Sequence, residues 1–472
     1  MVSMLRTSRL AAMRPSIALG TLSCLVAVAG AVTITRSGSL SAPPVAAVLA
    51  LAGAVILLSF RPEALLVSWL ALAPFLQEFG SHFAIGHPLT FALYRAPPLV
   101  FLLWTLTAPT RMRPFGVARR PGFVDALPAA YFLFVLGSMA VTGQFSAGSF
   151  RFFYLGTGIG VILYYFVAFG PLRSLAPSRL VGVLIALALL EALMSIIDGL
   201  TRWNLWHDTS WQRGNATRAV ATLGDPASLG TFIGMGVVLA LCVLVWNGPP
   251  QLRRLAVGMV AVGLPGLFFT YTRGPVVATI IVASLVLLSR LRTRLVAVCV
   301  LALMIVVITA SWSRLTSSAL YQDRITQENT VEIRVELQRW SLKLAEERPL
   351  FGWGYGSFDR VLRAADFGSG KLPRSEVVSS TSHNTFLTIL VEYGAIGFAL
   401  FVLPWLVIGG RALAVARRFP DARWLLLGCV AAFVIFAFGA SGIDFRFYSF
   451  VPAVPWLLLG LLRRHLSSVQ EV

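Results

Sequence analysis

Apolar runs of about membrane-spanning length recur some fourteen times along the chain, and this repetition limits the fold more than any other feature. Inside hydrocarbon every backbone polar group must be satisfied by the protein itself, so runs of this kind are helices. They extend from Ile17 to Ile34, Val45 to Phe60, Ala64 to Phe79, Arg95 to Ala108, Phe123 to Val141, Phe152 to Phe169 and Leu180 to Leu200. The series continues from Ala227 to Trp246, Leu255 to Tyr271, Pro275 to Leu288, Leu295 to Trp312, Phe386 to Ile408, Trp424 to Ala440 and Tyr448 to Leu462. With 57% hydrophobic and 12% charged residues, the 472-residue chain reads as an all-α polytopic membrane protein of about 12–14 transmembrane helices. The first run mimics a secretory signal, but further spans follow at once, so it is expected to stay as an uncleaved helix.

A net charge of +19 would suggest nucleic acid in a soluble protein, so its location decides its meaning. Of the 39 basic residues, 21 fall at the termini and in alternate short connections, and 8 in the opposite short connections. The remaining 10 lie in one long segment with 9 acidic residues. That asymmetry is the positive-inside pattern, and it puts the long segment on the outer side. It also removes nucleic acid as an expected partner, leaving membrane lipids as the surroundings. Three parts result: a transmembrane bundle over 1–312, an external segment over 313–385, and C-terminal transmembrane helices over 386–472.

Within the external segment, Ile333, Leu337, Trp340 and Leu344 occupy one face of a helix, while Glu332, Glu336, Arg339, Lys343 and Glu347 occupy the other flank. Pro349 should end that helix, which would lie on the outer membrane surface or over the bundle. Phe351-Gly352-Trp353-Gly354-Tyr355-Gly356 follows no strand and lacks the lysine of a nucleotide loop. It reads better as a tight turn presenting Trp353 and Tyr355, whose faces suit sugar rings. Cys24, Cys242, Cys299 and Cys429 all lie in apolar runs and read as small buried hydrophobes. There is no Asp-x-Asp pair and no cluster with metal-ligand spacing, so neither a metal nor any other cofactor is expected.

Four polar elements stand where external loops meet helices: Arg218, Arg273, His383 and Asp444. Fixed cations with one imidazole at the outer interface suit a lipid-linked diphosphate, which needs permanently charged, bidentate donors. Each also has a structural reading. Arg218 reads as a snorkelling arginine, His383 as a helix-start residue, and Asp444 as the partner of Arg446 or a cap. Arg273 is harder to explain away, because its turn is very short and a charge so near hydrocarbon needs a partner or a task. Glu191 and Asp198 share a helical face and read either as a proton path or as one interior and one outer-end carboxylate.

Together these stretches resemble the O-antigen ligase and O-antigen polymerase superfamily, from about Leu180 to Gly397. The resemblance rests on Arg218-Ala-Val-Ala-Thr-Leu-Gly-Asp-Pro-Ala-Ser-Leu-Gly, on Thr-Tyr-Thr-Arg273-Gly-Pro, and on Arg339-Trp340 leading to Arg348-Pro349-Leu350-Phe351-Gly352-Trp353-Gly354. Its most specific part is His383-Asn384-Thr385-Phe386-Leu387 followed by Glu392-Tyr393-Gly394-Ala395-Ile396-Gly397. Thr272 replaces the usual serine, and Ala227-Ser228 stands where the family often has asparagine. The resemblance implies transfer of a glycan from an undecaprenyl-diphosphate carrier to an acceptor glycan or lipid, outside the bacterial cytoplasmic membrane and without metal or nucleotide. On it, Arg218 and Arg273 would hold the diphosphate, His383 would be the catalytic base, and Arg339 and Asp444 would support them. Ligase and polymerase share these motifs. The alternative from another class is a polysaccharide or lipid transporter without catalysis, which predicts midplane ion pairs and an internal repeat, neither of which is evident here.

Overall fold

The computed structural model of the chain describes residues 62–77, 94–107, 121–172, 175–201, 211–213, 216–290, 293–295, 298, 329–365 and 382–469. The runs expected over 17–34 and 45–60 lie outside these residues, as do most of 295–312, Cys24, Cys299 and the basic stretch Arg111 to Arg120. The other apolar runs are helices: α1 (Pro62–Gln77), α2 (Ala96–Thr107), α3 (Phe123–Val141), α4 (Gly148–Phe169) and α5 (Pro177–Thr201). After them come α6 (Pro226–Val245), α7 (Pro250–Phe269), α8 (Arg273–Leu288), the amphipathic α9 (Asn329–Glu347), the short α10 (Phe358–Ala364), α11 (Thr385–Arg418), α12 (Arg423–Ala440) and α13 (Ala453–Val469). Among the described residues seven helices are long and apolar enough to cross a membrane, and α1, α2 and α8 are shorter apolar helices. The protein is a polytopic all-α membrane protein; its small departure is an antiparallel hairpin pairing Trp211–Arg213 with Ala216–Arg218.

Helix α6 is apolar all round and buried along almost its whole length, as the central helix of a bundle must be. It is enclosed by α5, α7, α8 and α12, while α13 packs on α4 and α3 packs on α11. Cys242 and Cys429 are buried free thiols in the α6–α12 contact, matching the reading of both as small hydrophobes.

The basic connections gather at one end of this bundle. Arg463 binds Asp125 at the start of α3 with contacts of 2.6 and 2.8 Å, and Arg464 donates to the carbonyls of Val167 and Leu172 after α4. Arg253 reaches Gly248 O, Arg290 reaches Val245 O and Arg423 reaches Ala416 O. Carbonyls left open at helix C-termini are thus closed by cationic side chains.

Two expectations need correction. The last apolar run does not become helical at Tyr448: residues Phe445–Phe447 form a 3-10 turn, and α13 starts at Ala453, after Pro452. Nor is the run beginning at Phe386 one uninterrupted span. Helix α11 breaks at Gly394, whose φ of 62° and ψ of −168° are non-helical. Glu392, Tyr393 and Gly394 are buried, so the break frees backbone groups that water does not reach. The turn after α9 satisfies them: Trp353 N–H donates to Val391 O at 2.9 Å and Gly354 N–H to Glu392 O at 2.7 Å. In return Ala395 N–H donates to Pro349 O at 2.7 Å and Ile396 N–H to Leu350 O at 3.2 Å.

This exchange explains two glycines. A Cβ on Gly394 would lie 2.3 Å from Leu350 O, and one on Gly352 would lie 2.4 Å from the Glu392 carbonyl carbon, with φ of +62° and +68° at the two positions. The amphipathic face of α9 closes the same joint, with Leu337, Trp340 and Leu344 buried against Val391. That face is the one its periodicity predicts. Helix α9 ends at Glu347, ahead of Pro349.

Gly394→Ala and Gly352→Ala should each destabilise the protein by roughly 2–4 kcal/mol, combining left-handed strain with overpacking. Gly409→Ala and Gly410→Ala in the same helix, where a Cβ meets nothing within 4 Å, should be neutral or stabilising. Thermal unfolding of the four variants in one lipid system checks this, and equal midpoints would contradict the exchange.

Candidate functional site

At the end of the bundle opposite the basic connections, the loop after the hairpin turns inward before α6. Two buried carboxylates of α5 hold it. Asp198 accepts from Ala221 N–H at 2.9 Å, and Glu191 accepts from Thr222 N–H at 3.2 Å and from the Thr222 hydroxyl. Glu191 and Asp198 thus both face one loop and hold it. Ala221 adopts a left-handed φ of 43° to make this approach. Arg218, at the mouth of the loop, donates from Nε to Thr270 O at 3.3 Å. Burial raises the pKa of Asp225, the N-cap of α6, against the hydrogen bonds from Ser228 and the nearby Arg218 charge.

Thr270 leads directly to Arg273, so the structure brings the two arginine-bearing turns together. Thr270 and Thr272 are buried, bonded hydroxyl to hydroxyl at 2.6 Å, and packed against Gly230 of α6. Tyr271 between them is left-handed, with φ of 49°. Arg273 then opens α8 with its side chain exposed, and among the described residues it makes no side-chain hydrogen bond or ion pair. A guanidinium at the N-terminus of a helix adds its charge to the positive end of the helix dipole.

His383 is half-buried immediately before α11, with a left-handed φ of 52°. Its neighbours pin it. Asn384 Oδ1 caps α11 by accepting from Phe386 and Leu387 N–H at 3.0 and 3.1 Å, and Ser382 Oγ bonds Thr388 Oγ1 at 2.8 Å. Four non-glycine residues among those described are left-handed, and three of them, Ala221, Tyr271 and His383, border the candidate residues. Backbone strain of about 1–3 kcal/mol per residue persists where surrounding structure over-determines it, a pattern common at functional sites.

From the His383 segment a polar chain runs inward. Thr388 Oγ1 donates to Asn384 O at 3.0 Å, and beyond it Asp444 accepts from Arg446 Nε and Nη2 at 3.0 and 2.8 Å. Arg446 Nη1 then reaches Glu392 at 2.6 Å, and Gly356 N–H also donates to Glu392. Burial would raise the Asp444 pKa, but the Arg446 charge and hydrogen bonds bring it below the ordinary carboxylate value. Burial works against the Arg446 cation too, and its two carboxylates outweigh that and raise its pKa. Asp444 thus fills both structural roles open to it, since it is also the N-cap of the 445–447 turn. Thr385 ties α11 to this turn by donating to Ile443 O at 2.9 Å and accepting from Phe445 N–H at 3.0 Å.

The remaining candidates sit around this core. Arg339 lies on the exposed face of α9, paired with Glu336 at 2.9 Å. Trp353 is turned inward, donating from Nε1 to Leu344 O, with the Arg348 guanidinium 4.0 Å above its ring. The Tyr355 hydroxyl donates to Ser149 O at 2.9 Å, and burial pushes its pKa up to about 12, so it stays a neutral phenol. Helices α6 and α12 pack closely here: a Cβ on Gly439 would meet Thr231 and Phe445. Sequence reasoning missed Glu392 and Arg446 as a centre. The available signal was that Glu392 is the sole acidic residue in its apolar run and so needs a buried partner.

Residues 258–402 match the family model described as O-antigen ligase, which supports the superfamily to which the motifs point. The match takes in Arg273, Arg339, Trp353, Tyr355, His383 and Glu392; Arg218, Asp444 and Arg446 lie outside it. No curated protein matches the chain. Glycan transfer of the O-antigen ligase kind, by a glycosyltransferase-type enzyme with lipid-linked glycan and acceptor partners, is the general activity this supports.

Removing Arg446 would strand two buried carboxylates, so Arg446→Ala should cost roughly 3–5 kcal/mol. Adding Asp444→Asn and Glu392→Gln to it should recover part of that loss, because neutral amides tolerate burial better than unpaired charges. Unfolding midpoints of the single and triple variants provide the check; a triple variant worse than the single would contradict the pairing.

Proposed function

We propose that this chain moves a glycan from an undecaprenyl-diphosphate carrier to an acceptor hydroxyl at the outer face of the bacterial cytoplasmic membrane. The observation that carries the proposal is Arg273, exposed at the start of α8 beside Arg218 and free of side-chain partners among the described residues. Two fixed cations and a helix N-terminus provide what a leaving diphosphate requires.

In this reading the acceptor oxygen attacks the anomeric carbon as the bond from that carbon to the diphosphate oxygen breaks. The diphosphate departs as a stable anion, neutralised by Arg218 and Arg273, and needs neither a general acid nor a metal. The acceptor proton passes to an imidazole nitrogen of His383, held in place by Ser382 and Asn384. Single displacement inverts the anomeric configuration. Arg339 and Asp444 support the arrangement from α9 and from the turn before α13.

The test is the size of surface and lipid-linked glycans in a deletion strain complemented with wild type, His383→Ala, Arg273→Ala or Arg273→Lys. His383→Ala and Arg273→Ala should each reduce transfer by about 100-fold or more, and Arg273→Lys should recover only part, because lysine lacks the bidentate fork. Single repeat units accumulating on the carrier would identify a polymerase; full-length chains stranded there would identify a ligase or another terminal transferase. Normal glycans in both alanine strains would overturn the proposal.

A further inference from the structure

Beside the Glu392–Arg446–Asp444 cluster opens a cavity of about 250 Å³, bordered by Arg446, Glu392, Tyr355 and Asp359 and by Phe152 and Phe153 of α4. Ser149 and Thr157 add hydroxyls to its wall. Its chemistry differs from that of the Arg218–Arg273 turn. The Arg446 guanidinium is already committed to Asp444 and Glu392, which leaves the cluster with one more acid than base. Asp359 adds a further carboxylate, paired at the surface with Arg363 at 2.9 Å.

Such a lining disfavours a phosphate, which would face carboxylates across a short gap. It suits an uncharged polyol instead: hydroxyls donate to carboxylate oxygens, and the apolar C–H face of a ring covers aromatic rings. The volume is below the roughly 300–1,000 Å³ of pockets that enclose a drug-sized ligand, which favours a single ring over an oligosaccharide. The position matters as well. A donor ring is bonded directly to the diphosphate and must therefore lie against Arg218 and Arg273. This cavity is instead joined to the His383 segment through Arg446 and Asp444 and the 443–445 turn, which Thr385 binds.

We propose that the cavity between α4 and the Tyr355 turn is an acceptor subsite, binding one uncharged sugar ring of the acceptor. This rests on the glycan-transfer reading and assigns Phe152, Asp359 and Tyr355 to acceptor selection.

The full-length protein in lipid nanodiscs tests it, prepared without alkyl-glycoside detergents because their head groups are the proposed ligand. The probes are the methyl glycosides of glucose, galactose, mannose and N-acetylglucosamine, observed by saturation-transfer-difference NMR. At least one should show saturation of its ring protons, weakened about tenfold or more by Phe152→Ala and by Asp359→Ala and unchanged by Arg273→Ala. Both side chains are partly exposed, so the two variants should stay folded. Glucose 1-phosphate, which couples the ring to an anion, should compete about tenfold more weakly than methyl glucoside.

Absence of saturation by all four glycosides, insensitivity to both cavity variants, or equal competition by glucose 1-phosphate would overturn the subsite. If the glycosides fail while Arg273→Ala still blocks transfer in cells, the subsite falls and glycan transfer stands. If the glycan profile ignores both Arg273→Ala and His383→Ala, transfer itself falls, and the acceptor subsite with it.

Discussion

The backbone exchange between the turn at 349–354 and the break in α11 is the contact on which the outer half of this protein depends. Four hydrogen bonds, each between main-chain groups, replace those lost where Gly394 leaves the helix. Buried open backbone has no solvent to turn to, so break and turn each presuppose the other. The consequence spreads outward. The turn fixes Trp353 and Tyr355, the buried face of α9 closes over it, and the half-helix 385–393 is held at an angle that brings Glu392 to Arg446 and the His383 segment to the 443–445 turn.

Around that joint the charges separate into two regions. On one side Arg218 and Arg273 are presented by turns whose shapes are imposed from within, by Asp198 and Glu191 under one and by the Thr270–Thr272 pair under the other. On the other, Arg446 is neutralised twice over, and the surroundings are aromatic, hydroxylic and slightly acidic. In the proposed reaction an anionic leaving group would meet the first region and an uncharged nucleophile the second. Left-handed backbone at Ala221, Tyr271 and His383 is held by neighbours that leave these residues few alternatives.

Much of this was legible in the sequence because the signals are periodic or local. Apolar runs locate α3 to α8 and α12 within a few residues, and the spacing of Leu337, Trp340 and Leu344 identifies the buried face of α9. The break in α11 was not legible. Its apolar run continues through Gly394, and the groups that permit it are main-chain atoms some forty positions earlier, which leave no mark in residue type. Glu392 and Arg446 were hidden for a related reason: they meet across 54 residues, whereas Asp444 and Arg446 meet across two. The hold of Glu191 and Asp198 on the 220–222 loop escaped likewise, since their partners are a backbone N–H of alanine and the N–H and hydroxyl of a threonine.

At the other end of the bundle, the arginines that sequence reasoning reads as an orientation signal also bond to carbonyls in or just beyond the last turns of helices, at Val167, Leu172, Val245, Gly248 and Ala416. On the positive-inside reading, the charge that would hold these loops on one side is the same charge that meets these carbonyls. Topology and folding are not successive problems for this chain. A substitution that weakened the insertion bias would at once fray a helix end, so mis-inserted copies would also be poorly packed, and quality control could recognise both faults by one symptom.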